Sequence, residues 1–99
     1  MHKIKKYVDH IDEELCGAKE YAEKYLWHKA KGHMSNADKY KTMASDELRH
    51  AMLIHDIAME DIETLKGVYT PTAEMEDMWE HSHKHYVEKT AWIKQMLNM

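Results

Sequence analysis

Glu47-Leu48-Arg49-His50 sets a carboxylate and an imidazole one helical turn apart. That pairing suits a metal ion, because the carboxylate neutralises charge while the imidazole supplies a neutral nitrogen. At 100° per residue Glu47 falls at the centre of an apolar stripe made by Tyr40, Met43, Ala51, Ile54, Ala58 and Leu65. A lone ionised carboxylate in such a place is costly unless it is paired or holds a cation. Glu14 presents the same conflict, lying between Ile11 and Ala18 with Tyr21 two turns further along. A chain reversal near residues 32 to 35 brings Glu14 to about the level of His50 and within roughly a turn of Glu47. The spacing predicts two carboxylates and an imidazole converging without thiolate, a donor set for iron or manganese.

The bare motif carries little weight. In a chain of 99 residues with nine histidines and 11 glutamates, random order produces about one Glu-x-x-His, and this chain has a second at Glu80 and His83. Glu14, Glu47 and Glu80 are evenly spaced, but folding about the second turn sets His83 a turn or more from His50, and a satisfied, partly buried histidine is the simpler reading. Glu20 competes with Glu14 as the first-helix ligand from a line further off the stripe. His81 and His85 form an i, i+4 pair with Glu88 on the same line, which describes a chelating pair or an ordinary solvated face. His2, His10, His28, His33 and His55 show no convergent partner and default to surface or boundary positions. Cys16 lacks a basic neighbour and reads as a small boundary residue, and Trp27, Trp79 and Trp92 as packing residues.

Three long helices must position these groups. The first is expected over about residues 3 to 30, with stripe residues Ile4, Val8, Ile11, Leu15, Ala18, Ala22, Tyr25 and Leu26. Gly17 is a blemish inside it costing about 1 kcal/mol against alanine, and Gly32 ends it. Ser35 and Asp38 resemble a capping box opening the second helix. That helix stops at Gly67, with Val68 placed for the hydrophobic contact of a glycine cap. Thr70 as N-cap and Pro71 at the first helical position open the third, which runs to about Asn98 on a stripe of Met75, Trp79, Tyr86, Thr90, Ile93 and Leu97. Strand signals are missing, and the short connections make neighbouring helices antiparallel in one domain spanning residues 1 to 99.

A single domain of 99 residues with a formal charge of −4 and one cysteine has no disulfide, so a metal or a partner subunit is the natural aid to stability. No basic surface points to nucleic acid, no apolar run suits a signal peptide or membrane span, and a reducing cytoplasmic setting is the simplest expectation.

Glu13-Glu14-Leu15 through Tyr21, followed by Met43-Ala44-Ser45-Asp46-Glu47-Leu48-Arg49-His50-Ala51-Met52-Leu53, resembles the helical-hairpin half of the ferritin-like superfamily, as in rubrerythrins and encapsulated ferritins. The likeness covers roughly residues 11 to 65. It implies that Glu14 is a terminal ligand, Glu47 a bridging ligand, His50 the nitrogen ligand and Tyr21 a nearby hydrogen-bonding residue of the catalytic site. One hairpin supplies half of such a centre, and a symmetric homodimer or larger homo-oligomer would complete a four-helix bundle with four glutamates and two histidines around two ions. The resemblance thus implies a di-iron or di-manganese carboxylate protein with ferroxidase or peroxide- and oxygen-reducing activity. Only the first hairpin of the family is present, which leaves open a non-catalytic helical assembly or interaction protein without the metal.

Overall fold

A computed structural model describes residues 2–68 and 70–99, with side chains from Lys3 onward. The surroundings of the His2 side chain lie outside the described residues. The chain forms α1 (His2–Ala30), α2 (Met34–Lys66) and α3 (Ala73–Leu97). All three are α-helices in a body 54 × 18 × 17 Å across, as the helical periodicity requires. The helix α1 packs along α2 as a hairpin and more loosely against α3.

Residue size explains the tightness of the hairpin. Along α2, Ala37, Ala44, Ala51 and Ala58 recur every seven residues and are fully buried, with Leu48, His55 and Ile62 on the adjoining line. Across from them α1 buries Ile4, Ile11, Ala18 and Tyr25 at the same interval, together with Leu15 and Ala22. A seam of alanines lets helix axes approach toward the short end of their usual 8–10 Å separation. Close axes in turn bring side chains flanking the seam within reach of one another.

The hairpin turn is a glycine cap. Gly32 adopts φ of +78°, open to glycine at no steric cost, and its N–H donates to Lys29 O at 3.0 Å while the His33 N–H donates to His28 O at 2.9 Å. These two bonds are the paired closure of a Schellman motif. The next helix therefore starts earlier than the Ser35 capping box suggests: His33 is its N-cap, makes no side-chain capping bond, and leaves Ser35 inside the first turn. The second turn departs from expectation in two ways. Gly67 keeps a helical φ of −74° and Val68 is 79 % exposed, so no left-handed cap or hydrophobic contact forms there. The N-cap of α3 is Thr72, two residues beyond Thr70, its hydroxyl accepting from Met75 N–H at 3.2 Å. Glu74 and Glu76 follow in the first turn, where acidic groups complement the helix dipole.

The attachment of α3 is weighted toward its C-terminal half, where Ile93, Met96 and Leu97 are buried in the common core. Its N-terminal half contributes Trp79 and Tyr86 as partly buried packing residues. The hydroxyls of Ser82 and Thr90 are buried without hydrogen-bond partners, a penalty of about 1–3 kcal/mol each that offsets part of the packing gain. No helix among the described residues is long and apolar enough to cross a membrane.

Candidate metal centre

Helical geometry puts Glu14, Gly17 and Tyr21 to one side of the α1 contact line, and Tyr40, Glu47, His50 and Asp61 to the matching side of α2. Contacts across the hairpin fix this register. The Tyr7 hydroxyl donates to Asp61, His50 faces Glu14, and Tyr21 stacks on Tyr40 with centroids 6.2 Å apart. The other flank belongs to α3, whose Lys94 and Leu97 share a groove with Lys41, Leu48 and Met52, and whose Ser82 and His85 share one with Val8 and Asp12.

On the flank away from α3, one ligand atom from each of Glu14, Glu47 and His50 lies within 4.8 Å of the others. Glu14 is the hub. Its Oε1 is 3.5 Å from His10 Nε2 and its Oε2 is 3.7 Å from His50 Nδ1, with the side chain 19 % exposed. That Oε2 is buried and makes no hydrogen bond, a cost that a cation would remove. The Glu47 carboxyl is held above the ordinary carboxylate range, chiefly because Glu14 is close enough to share a proton, then by burial and by the Glu14 charge, with His50 opposing. A carboxyl that holds its proton beside a second acid is what a divalent cation relieves by displacing that proton. The donors, carboxylate oxygens and imidazole without thiolate, form a group that could hold a metal ion.

Gly17 belongs to this site. A Cβ placed on it would lie 3.5 Å from Glu47 Oε2, so the glycine leaves open the space beside the carboxylate.

Burial at the site is lower than the stripe suggests. Glu47 is half-buried and His50 exposed, because the contact line runs through Ala44, Ala51 and Ala58, leaving Glu47 about 40° and His50 about 100° from it. Met43, expected on the inner stripe, is 38 % exposed for the same reason. Tyr21 is half-buried on the same flank as Glu14, with its ring against Tyr40 and the Lys24 ammonium 6.0 Å from its centroid. Glu20 and Glu80 are exposed and stand outside the group. His83 is exposed as well, and its Nδ1 lies 2.9 Å from His55 Nε2 on the opposite flank. His81, His85 and Cys16 are exposed.

Four histidines without expected partners have them. His55 is buried at 5 % exposure between α2 and α3, where its ring lies parallel to Tyr86 with centroids 4.1 Å apart. Its seven-residue spacing from Leu48 and Ile62 was the available signal. His10 meets Glu14 one turn along α1, and that i, i+4 spacing was equally visible. His28 is half-buried and faces His33 across the turn. Comparison with protein-family models, with curated proteins and with solved structures finds no match to this chain.

Proposed function

We propose that the chain is a ferritin-like half-bundle that binds iron, or manganese, through Glu14, Glu47 and His50, and that two copies join across this flank to complete a two-ion centre. The observation that carries the reading is the convergence of those three donors within 4.8 Å around a buried carboxylate oxygen that makes no hydrogen bond. A second hairpin would bring a second trio, so that Glu14, Glu47 and His50 of both copies would together hold the two ions. The exposed Met43 and Ile57 beside the site, 38 % and 53 % accessible, supply apolar surface for such a contact.

Ferrous ions held there would supply the electrons for reducing oxygen or peroxide, one from each ion. The residues around them hold the charge balance. Glu47, whose carboxyl is held above the ordinary range beside Glu14, would give up its proton to hold the ions, His10 lies 3.5 Å from Glu14 Oε1 on the outer side, and Tyr21 stacks on Tyr40 along the same flank.

Anaerobic titration of metal-stripped protein with ferrous iron tests this. About one iron per chain is expected, with uptake abolished in Glu47→Ala and His50→Ala. Protein that takes up no iron, or a Glu47→Ala variant that takes up as much as the wild type, would overturn the reading. Light scattering on the same samples should give a dimer or a multiple of it. Oxygen consumption on adding ferrous iron then separates an oxidase from a passive binder.

A further inference from the structure

We infer that His28 and His33, at the tip of the hairpin, form a second metal site: a two-imidazole chelate for a borderline divalent cation of the zinc class. The inference is independent of the Glu14 centre, which lies fourteen residues away along α1, about 21 Å at 1.5 Å per residue.

The two Nδ1 atoms face each other at 3.4 Å. That separation is long for a hydrogen bond, where nitrogen donors sit about 2.7–3.2 Å from their acceptors. It is the right bite for a chelate, since two bonds of about 2.0–2.1 Å at a tetrahedral angle place their nitrogens about 3.4 Å apart.

The pair is held in place before any ion arrives. The backbone between the two residues is locked by the bond from His33 N–H to His28 O at 2.9 Å and by the positive φ of Gly32. The His28 ring lies nearly parallel to Tyr40, 14° from coplanar at 5.1 Å, and meets Trp27 edge-on at 4.9 Å. The His33 ring also packs against Trp27, at 6.1 Å. Ordering these rings is a cost that folding has already met, so binding does not bear it again.

Position and chemistry agree. The N-cap of α2 is a place where serine, aspartate or asparagine would stabilise the helix by about 1 kcal/mol, yet it holds a histidine that makes no capping bond and turns to another histidine. His28 sits in the last turn of α1, where the helix dipole favours a cation. Two imidazoles without an oxygen donor select zinc-class ions over the harder ones. The remaining coordination positions face solvent and take water.

Calorimetric titration of the metal-stripped full chain with Zn²⁺ alone, in wild type, His28→Gln, His33→Asn and the double variant, decides the matter. A chelate needs both rings, so each single variant should lose one tight zinc equivalent per chain, and the double variant should lose that same one and no more. Retention of the wild-type count in His33→Asn, or loss of two equivalents in the double variant, would overturn the inference. Asparagine is a better N-cap than histidine, so His33→Asn should melt no lower than the wild type and its loss of zinc cannot be laid to unravelling of the turn.

Discussion

The two flanks of the hairpin carry polar groups at similar angles from the same alanine seam, and they differ in what covers them. On the α3 side, His55 and His83 meet at 2.9 Å and the buried His55 ring is stacked between Tyr86 and Trp79, 4.1 and 5.5 Å away. Every demand of that pair is met within one chain. On the other side the Glu14 carboxylate is equally close to the seam, yet one of its oxygens is buried without a hydrogen bond, and its proximity holds the Glu47 carboxyl above the ordinary carboxylate range. Covering a flank with a third helix satisfies this histidine pair, while burying the Ser82 and Thr90 hydroxyls of that helix without partners. Leaving the other flank open keeps the Glu14, Glu47 and His50 group within reach of a cation or a second chain.

Removing apolar bulk from each flank should break this symmetry most strongly. Ile93 is fully buried where α3 joins the core, and Ile93→Ala should cost about 2–5 kcal/mol in urea unfolding. Ile57→Ala on the open side should cost less than about 0.5 kcal/mol in the isolated chain, its effect appearing instead as a weaker self-association in sedimentation at rising dilution. Equal losses in both variants would mean that the open flank is already packed.

Widening the seam comes next. Ala51 has no exposed surface, and Ala51→Leu should destabilise by about 1–3 kcal/mol through overpacking. The larger side chain pushes α1 from α2, so ferrous affinity should fall along with stability even though no ligand is altered. A variant that loses stability while keeping its iron affinity would show that Glu14 and Glu47 do not depend on the alanine spacing.

The fold was legible because glycine, proline and the heptad stripes each marked one feature. Gly32 ended α1 where expected, and the interval of seven located both faces of the hairpin. The helix starts were less readable, since Ser35 and Thr70 have the right residue types for caps but backbone geometry awarded the role to His33 and Thr72. The convergence of Glu14, Glu47 and His50 followed from register alone. Their partial exposure did not, because a stripe that ignores side-chain size centres on large residues, whereas close packing centres on alanine. His55 was missed for a related reason: its partners come from α3, and a single chain pattern does not reveal which flank a third helix will take.

The covered flank has a pH signature opposite in sign to that of the raised Glu47 carboxyl on the open flank. Burial, and then the charge of His83, push the His55 imidazole below its ordinary value, with Asp56 opposing. The unfolded chain then binds a proton that the folded chain refuses, so stability rises with pH and is lost as pH falls below the ordinary histidine value of about 6.5. One such proton contributes a slope of at most about 1.4 kcal/mol per pH unit. His55→Phe keeps the ring stack without the titration, so unfolding free energies measured between pH 7 and 5.5 should fall less steeply than in the wild type. Parallel slopes would remove His55 as the source.

The smallest effect bears on the open flank and on a residue that looks like a defect. Glycine inside α1 costs about 1 kcal/mol relative to alanine, yet the Cβ of an alanine at position 17 would meet Glu47 Oε2 at 3.5 Å, an ordinary contact that needs no rearrangement. Gly17→Ala should therefore raise metal-free stability by up to about 1 kcal/mol, read as a higher melting temperature. The added methyl occupies the space beside the carboxylate and narrows the access of solvent to Glu47. Less solvent at an acid that already holds its proton tightly raises the cost of ionising it, so ferrous affinity in the stabilised variant should drop by a few-fold and recover as pH rises. If stability climbs and affinity is unchanged at every pH, the glycine is a neutral blemish after all; if both change in the expected directions, the chain gives up helix stability to keep one side of its carboxylate open.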